Sequence, residues 1–247
     1  MLYITGDTHG DFHRLTTRAF PVQKEMTKAD TVLICGDFGG LWDDSPRCRH
    51  LLDELERRPF TTAFVDGNHE NFDLLEALPE ERWNGGMVHR LRPSVLHLCR
   101  GYVFRLDGMR VFCMGGGKSH DMPGGVLPQG PGLKRQRKLL DKQGIRYRVD
   151  HESWWVREMP SPEEYRRAIA SLEAEDYMVD LVVTHSAPTD LQALLKPRRE
   201  ANELTDFLMD IREKLFYRRW YCGHYHVDKC LPMDRFWAMY ETIEPEG

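Results

Sequence analysis

Leu2-Tyr3-Ile4-Thr5-Gly6-Asp7-Thr8-His9-Gly10 is a short apolar run that passes without a spacer into glycine, a carboxylate and an imidazole. Its length and its apolar, β-branched content read as a buried strand from Leu2 to Thr5, and Gly-Asp-x-His-Gly as the turn at its carboxyl end. The same arrangement recurs along the chain. Thr31 to Cys35 runs into Gly36-Asp37, and Thr61 to Val65 into Gly67-Asn68-His69-Glu70; Asp180 to Thr184 ends at His185, and Tyr217 to Cys222 at Gly223-His224-Tyr225-His226. Between these runs lie helical patterns at about Arg47 to Arg58, Asn71 to Leu78, Pro162 to Glu175 and Leu204 to Lys214, the third with Ser161 as N-cap and Pro162 at N1. Strands alternating with helices define an α/β architecture. In such folds the carboxyl ends of the strands are where sites assemble, because the loops converge on one rim above rigid strands.

Two segments look antiparallel instead. Tyr102 to Leu106 and Arg110 to Met114 flank Asp107-Gly108, a two-residue hairpin signal, and Val227 to Leu231 is placed to pair with Phe236 to Thr242 across Pro232 to Arg235. The sheet content is therefore mixed. The stretch from about Gly115 to Pro160 fits neither pattern; it is rich in Gly and Pro early and basic in the middle, and it reads as an insertion or cap within a single domain spanning 1–247.

The 247 residues, 41% of them apolar, are enough to bury a core, so general disorder is excluded. With 34 Lys and Arg against 39 Asp and Glu, a formal charge of −5 supplies no global field for polyanions or an anionic membrane. Any such ligand must be gripped locally. No apolar run approaches a membrane span, and Met1 leads into Leu2 without a basic leader, so a soluble, cytoplasmic protein is expected. Six cysteines without a CxxC pair point to reduced thiols rather than disulfides or a cysteine zinc site.

The strand-end groups, Asp7, His9, Asp37, Asn68, His185, His224 and His226, form a set of oxygen and nitrogen donors. Seven donors exceed one tetrahedral ion and suit two adjacent ions sharing a carboxylate. Imidazole with carboxylate and without thiolate fits Mn, Fe or Zn rather than Ca. Two ions ~3.5–4 Å apart are the usual device for in-line displacement at phosphorus. The five blocks, in this order, resemble those of the calcineurin-like metallophosphoesterase superfamily. The resemblance implies a two-sheet mixed β-sandwich flanked by helices. It further implies one metal on Asp7, His9 and His226, a second on Asn68, His185 and His224, Asp37 as the bridge, and His69 as a non-ligating catalytic group that donates a proton to, or stabilises, the leaving oxygen.

Within that superfamily the first and third blocks look most like the phosphoprotein phosphatase and diadenosine tetraphosphatase branch. The second block departs from it. Asp37 is followed by Phe38-Gly39-Gly40-Leu41-Trp42, which lacks both the Asp that would orient the catalytic His and the Arg that would clamp phosphate. This argues against a Ser/Thr protein phosphatase. A replacement clamp is available in the 115–160 segment from Lys118, His120, Arg146, Arg148 or His151, with His120, Arg146 and Arg148 the substrate-binding candidates. The basic stretch Lys134 to Arg148 is a phosphate grip for a nucleotide or nucleic acid on one reading and a solvated helix face on the favoured one. Tyr147, Trp154 and Trp155 either stack a base or, the preferred reading, pack the segment onto the domain.

Asp11, Asp66 and Glu70 flank the blocks as partners for the imidazoles, Glu70 equally as a helix N-terminal charge. His13, His50, His89 and His97 fall outside every block and read as ordinary residues, and Cys35 and Cys222 as small buried side chains. The expected activity is hydrolysis of a phosphomonoester or phosphodiester in a phosphorylated small molecule, nucleotide or phosphoprotein. A nuclease is a less favoured alternative, and a non-catalytic binding scaffold is the alternative of another class. No membrane partner is expected, and the oligomeric state is open.

Overall fold

The computed structural model describes residues 1–196 and 201–246. Two large sheets form its framework. The first contains β1 (Leu2–Thr5), β2 (Thr31–Ile34), β3 (Thr61–Phe64), β4 (Glu80–Trp83), β5 (Gly86–Arg92) and β6 (Val95–Leu98), with β15 (Ile243–Glu246) on one edge, in the order β15-β1-β2-β3-β6-β5-β4. The second contains β7 (Tyr102–Leu106), β8 (Met109–Met114), β11 (Leu181–Thr184), β12 (Arg219–Cys222), β13 (Lys229–Leu231) and β14 (Phe236–Ala238), in the order β13-β14-β12-β11-β8-β7. A separate two-stranded ribbon pairs β9 (Val126–Leu127) with β10 (Arg148–Val149).

The strands predicted from the apolar runs are present, and the reason they read as unbroken runs is visible. Leu33 faces the space between the sheets while Val32 and Ile34 face the helices, so both faces of β2 are buried. In β11, Val183 points between the sheets and Val182 outward. The intersheet core joins Leu2, Ile4 and Leu96 to Val111, Leu181 and Tyr221. On the outer face of the first sheet pack α1 (Pro46–Glu56) and α2 (Phe72–Glu76); on that of the second pack α4 (Pro162–Glu173), α5 (Thr189–Leu195) and α6 (Glu203–Lys214). This is the expected mixed sandwich flanked by helices.

The Asp107-Gly108 hairpin forms with Leu106 opposite Met109, both turn residues at positive φ (49° and 76°), as a type I′ turn requires. The second hairpin is shorter than expected, with Leu231 opposite Phe236 and Lys229 opposite Ala238. The predicted second helix also shrinks, because Asn71 is its N-cap and accepts from the Leu74 amide at 3.2 Å. Sequence reading missed the antiparallel β4-β5-β6 meander, where charged residues interrupt the alternation. The basic stretch holds α3 (Leu133–Gln143), none of whose side chains is buried, as a solvated helix face requires. Among the described residues no helix is long and apolar enough to cross a membrane.

Candidate metal centre

β1, β2 and β3 run parallel in one sheet, and β8, β11, β12 and β14 run parallel in the other. Their carboxyl ends share one rim, and all five sequence clusters meet there. His226 Nε2 lies 3.1 Å from Asp7 Oδ2 and 3.0 Å from His9 Nε2, and His9 Nε2 lies 3.7 Å from Asp37 Oδ2. The ligand atoms of Asp7, His9, Asp37 and His226 are all within 4.8 Å of one another. On the other side of Asp37, His185 Nε2 is 3.5 Å from Asp37 Oδ1, 3.2 Å from Asn68 Oδ1 and 3.2 Å from His224 Nδ1. The two oxygens of one buried carboxylate thus face two separate donor clusters.

The local backbone is bent to achieve this. His9, Asp37, His224 and His226 all sit in the left-handed region, at φ 46°, 47°, 68° and 50°. Such conformations cost energy in non-glycine residues and persist where surrounding structure over-determines them, as at functional sites. Glycine is required where loops close on a carboxylate: a Cβ at Gly67 would stand 2.0 Å from Asp37 Oδ1, and one at Gly223 2.1 Å from Asp7 Oδ1.

Electrostatics follow the packing. Burial opposes ionisation of Asp7, but its hydrogen bond to His226, the nearby His185 and the His224 amide hold its carboxyl below the ordinary value. Burial, then His185, pushes His224 well below the usual imidazole range, and the Asp7 hydrogen bond raises His226. His185 donates from Nδ1 to the Cys35 carbonyl at 2.8 Å, which turns Nε2 toward Asn68, His224 and Asp37. Imidazole nitrogens and carboxylate oxygens converging from several loops suit bound cations, so the donor set fits transition-metal ions.

His69 is beside this centre. Its ring lies 5.6 Å from that of His9, its amide donates to Asp37 Oδ1 at 2.8 Å, and burial lowers its basicity against the attraction of Asp37. A cleft of about 380 Å³ is lined by His9, His69, Trp42, Arg47 and Arg148. Of the substrate-binding candidates, Arg148 is therefore brought in, its guanidinium also held by Asp121 at 3.1 Å, and His120 packs edge-on against His224 with ring centroids 5.5 Å apart. Arg146 is not brought in: it lies 78% exposed and lines a different depression with Asp141 and Tyr147. Lys118 is exposed. His151 turns away to Asp73 at 2.9 Å, where the Trp155 indole also donates, so Trp155 packs the segment onto α2.

The flanking acids have other duties. Asp66 pairs with Arg100 Nε at 2.8 Å and His97 Nε2 at 3.0 Å rather than with the rim imidazoles, and Asp11 accepts from the His13 amide in an exposed turn. Glu70 is neither a helix charge nor an imidazole partner. Its buried carboxyl accepts from the Phe38 amide at 2.7 Å and the Gly67 amide at 3.4 Å, bracing the second loop against the third; burial and Asp37 raise it well above the usual range. Sequence reasoning missed Ser119, which takes the Asn68 amide at 3.2 Å and donates to Glu158 at 2.7 Å. The available signal was that Gly115 to Ser119 follows β8, which pairs parallel to β11. It also missed Tyr240, whose ring stacks on His226 at 4.8 Å and 19°.

A fold of this kind with these clusters on one rim defines a class: the chain belongs to the calcineurin-like phosphoesterase family, whose profile matches residues 2–228. Among curated proteins it is similar to lariat debranching enzyme A of Xenopus laevis, 27% identical over 144 residues, covering 52% of this chain and 26% of that protein. It is likewise similar to the lariat debranching enzyme of Danio rerio, 27% identical over 297 residues, covering 99% of this chain and 47% of that protein. The mouse enzyme is 26% identical over 134 residues, covering 48% and 23%. The chain spans at most about half the length of these relatives.

Proposed function

We propose that this chain is a dinuclear-metal phosphodiesterase acting on a nucleotide or nucleic-acid phosphodiester, with the whole chain working as one domain and residues 115–160 as its cap. The observation that carries the reading is Asp37, whose Oδ2 faces the His9 cluster at 3.7 Å and whose Oδ1 faces the His185 cluster at 3.5 Å. Asp7, His9 and His226 would hold one ion and Asn68, His185 and His224 the other, each Mn, Fe or Zn, with Asp37 shared. When bound, the ions supply Lewis-acid charge to the phosphoryl oxygens and to an attacking water.

The chain's own groups do the rest. His69, fixed through its amide to Asp37, donates a proton from its ring to the leaving oxygen. Arg148 projects into the same cleft and offsets the remaining phosphate charge, taking the place of the clamp absent after Asp37. Trp42 offers that cleft an aromatic surface for a base. Similarity to lariat debranching enzymes supports a nucleic-acid substrate over the small-molecule and phosphoprotein alternatives.

The test is hydrolysis, by the Mn-loaded protein, of a chromogenic phosphodiester and the matching monoester, with Asp37→Asn as control. A diester preference and a loss of roughly 10³-fold in the variant, several kcal/mol of transition-state stabilisation, are expected. Wild-type turnover by Asp37→Asn sinks the mechanism. A monoester preference redirects the substrate to phosphorylated metabolites or phosphoproteins, and inertness toward both leaves a binding scaffold.

A further inference from the structure

His89 and His97 stand outside the rim, directly opposite each other on β5 and β6, and Cys99 follows just beyond β6. All three are buried. The two Nδ1 atoms are 3.0 Å apart, and the ligand atoms of His89, His97 and Cys99 lie within 4.8 Å of one another. His97 holds its other nitrogen, Nε2, 3.0 Å from Asp66 Oδ1, and Asp66 is ion-paired with Arg100 through its second oxygen at 2.8 Å. A carboxylate so paired accepts the Nε2 proton and turns Nδ1 of His97 toward His89. Burial, then His97, brings the His89 imidazole down to about 4, so that ring is neutral near pH 7. Two such nitrogens this close need a proton or a cation between them.

We propose that His89, His97 and Cys99 form a mononuclear site for a thiophilic transition metal, zinc above all, separate from the phosphoesterase centre. Two imidazoles and a thiolate are a zinc donor set, and tetrahedral bonds of about 2.0–2.1 Å place two nitrogens roughly 3.3 Å apart, a few tenths of an ångström from the distance seen. The Asp66–His97 pair is the carboxylate–imidazole arrangement that orients metal-binding histidines. A cavity of about 350 Å³ adjoins the cluster and supplies an entry path and a fourth position. Glu80, the register partner of His89, is a wall of that cavity. Without metal, burial and Glu80 push the Cys99 thiol up to about 12, so binding must displace its proton.

Cobalt(II) titration of the full chain, stripped of metal by chelation, reads this site selectively, because a thiolate–cobalt charge-transfer band in the near ultraviolet cannot arise from the rim, where the donors are oxygen and nitrogen. The band should saturate near about one equivalent per chain and collapse when zinc is added. It should vanish in Cys99→Ser, require at least about tenfold more cobalt in His89→Gln, and persist in Asp37→Asn and Cys230→Ser. Persistence in Asp37→Asn separates this site from the phosphoesterase reading, which loses activity in that variant. No band in the unaltered protein, or a band that survives Cys99→Ser, overturns the proposal; the first needs no variant to fold.

Discussion

At the scale of the residue, the rim is held by contacts that leave no room for one more carbon. Gly67 has an ordinary backbone, so Gly67→Ala acts through space alone, with its methyl against Asp37 Oδ1 at 2.0 Å. Displacing that carboxylate by about 1 Å should cost roughly 10²-fold in turnover, and because the methyl also meets the Asp37 backbone nitrogen at 2.5 Å the melting temperature should fall as well, which paired kinetics and calorimetry will check. Ser119→Ala leaves the Asn68 amide without its 3.2 Å partner and should weaken metal binding at the rim by about 10–100-fold, read by competition with a chelator. Glu70 and Ser119 act on Asp37 and Asn68 by holding loops and amides in register. Glycine, Asp, Asn and His beside apolar runs were legible as a site because their chemistry is written in their type. The duty of Glu70 was not, since a carboxylate beside a helix start satisfies two readings until its partners are known.

At the scale of the element, α4 carries a capping box: the Glu164 amide donates to Ser161 Oγ at 3.3 Å and the Ser161 amide to Glu164 at 2.7 Å. Ser161→Ala should cost about 1 kcal/mol in denaturant unfolding. Glu164 does more than cap. Burial would raise its carboxyl, but two hydrogen bonds from Arg157, at 2.9 and 3.0 Å, and the buried Arg100 bring it down to about 2. A depressed carboxylate contributes stability that is complete above its unfolded value of 4.5 and is lost as pH falls from there toward about 2, on the order of 3 kcal/mol in all. Glu164→Gln should therefore be less stable than the parent at pH 7, and the gap should narrow below pH 4.5 and close only at about pH 2, as melting curves across that range will show. The helix was readable from Ser161-Pro162 and its spacing; the ion-pair cluster beneath it joins residues far apart in the chain and was not.

At the scale of the whole molecule, the segment from Gly115 to Pro160 is fastened to the first sheet's helices by a small set of contacts. Asp73 on α2 accepts from the Trp155 indole at 2.8 Å and pairs with His151 at 2.9 Å, and the Trp155 ring packs edge-on against Trp42 at 5.8 Å. Since Trp42 and Arg148 line the cleft beside His69, loosening this clamp should be felt there. Asp73→Ala is expected to speed hydrogen exchange across 115–160 and to raise KM more than it lowers kcat; unchanged exchange would mean that the segment is held by other contacts.

The sequence by itself determined the α/β class, the Asp107-Gly108 hairpin and the runs of Gly, Asp, Asn and His at the strand ends, because strand burial on both faces, turn chemistry and residue type are local properties of a chain. Only the tertiary structure decided that Asp37 turns one oxygen to each donor cluster, that Arg148 and His120 reach the rim while Arg146 does not, and that His89, His97 and Cys99 share one buried corner. Each of these depends on strand order and register, which bring together residues that no local periodicity connects.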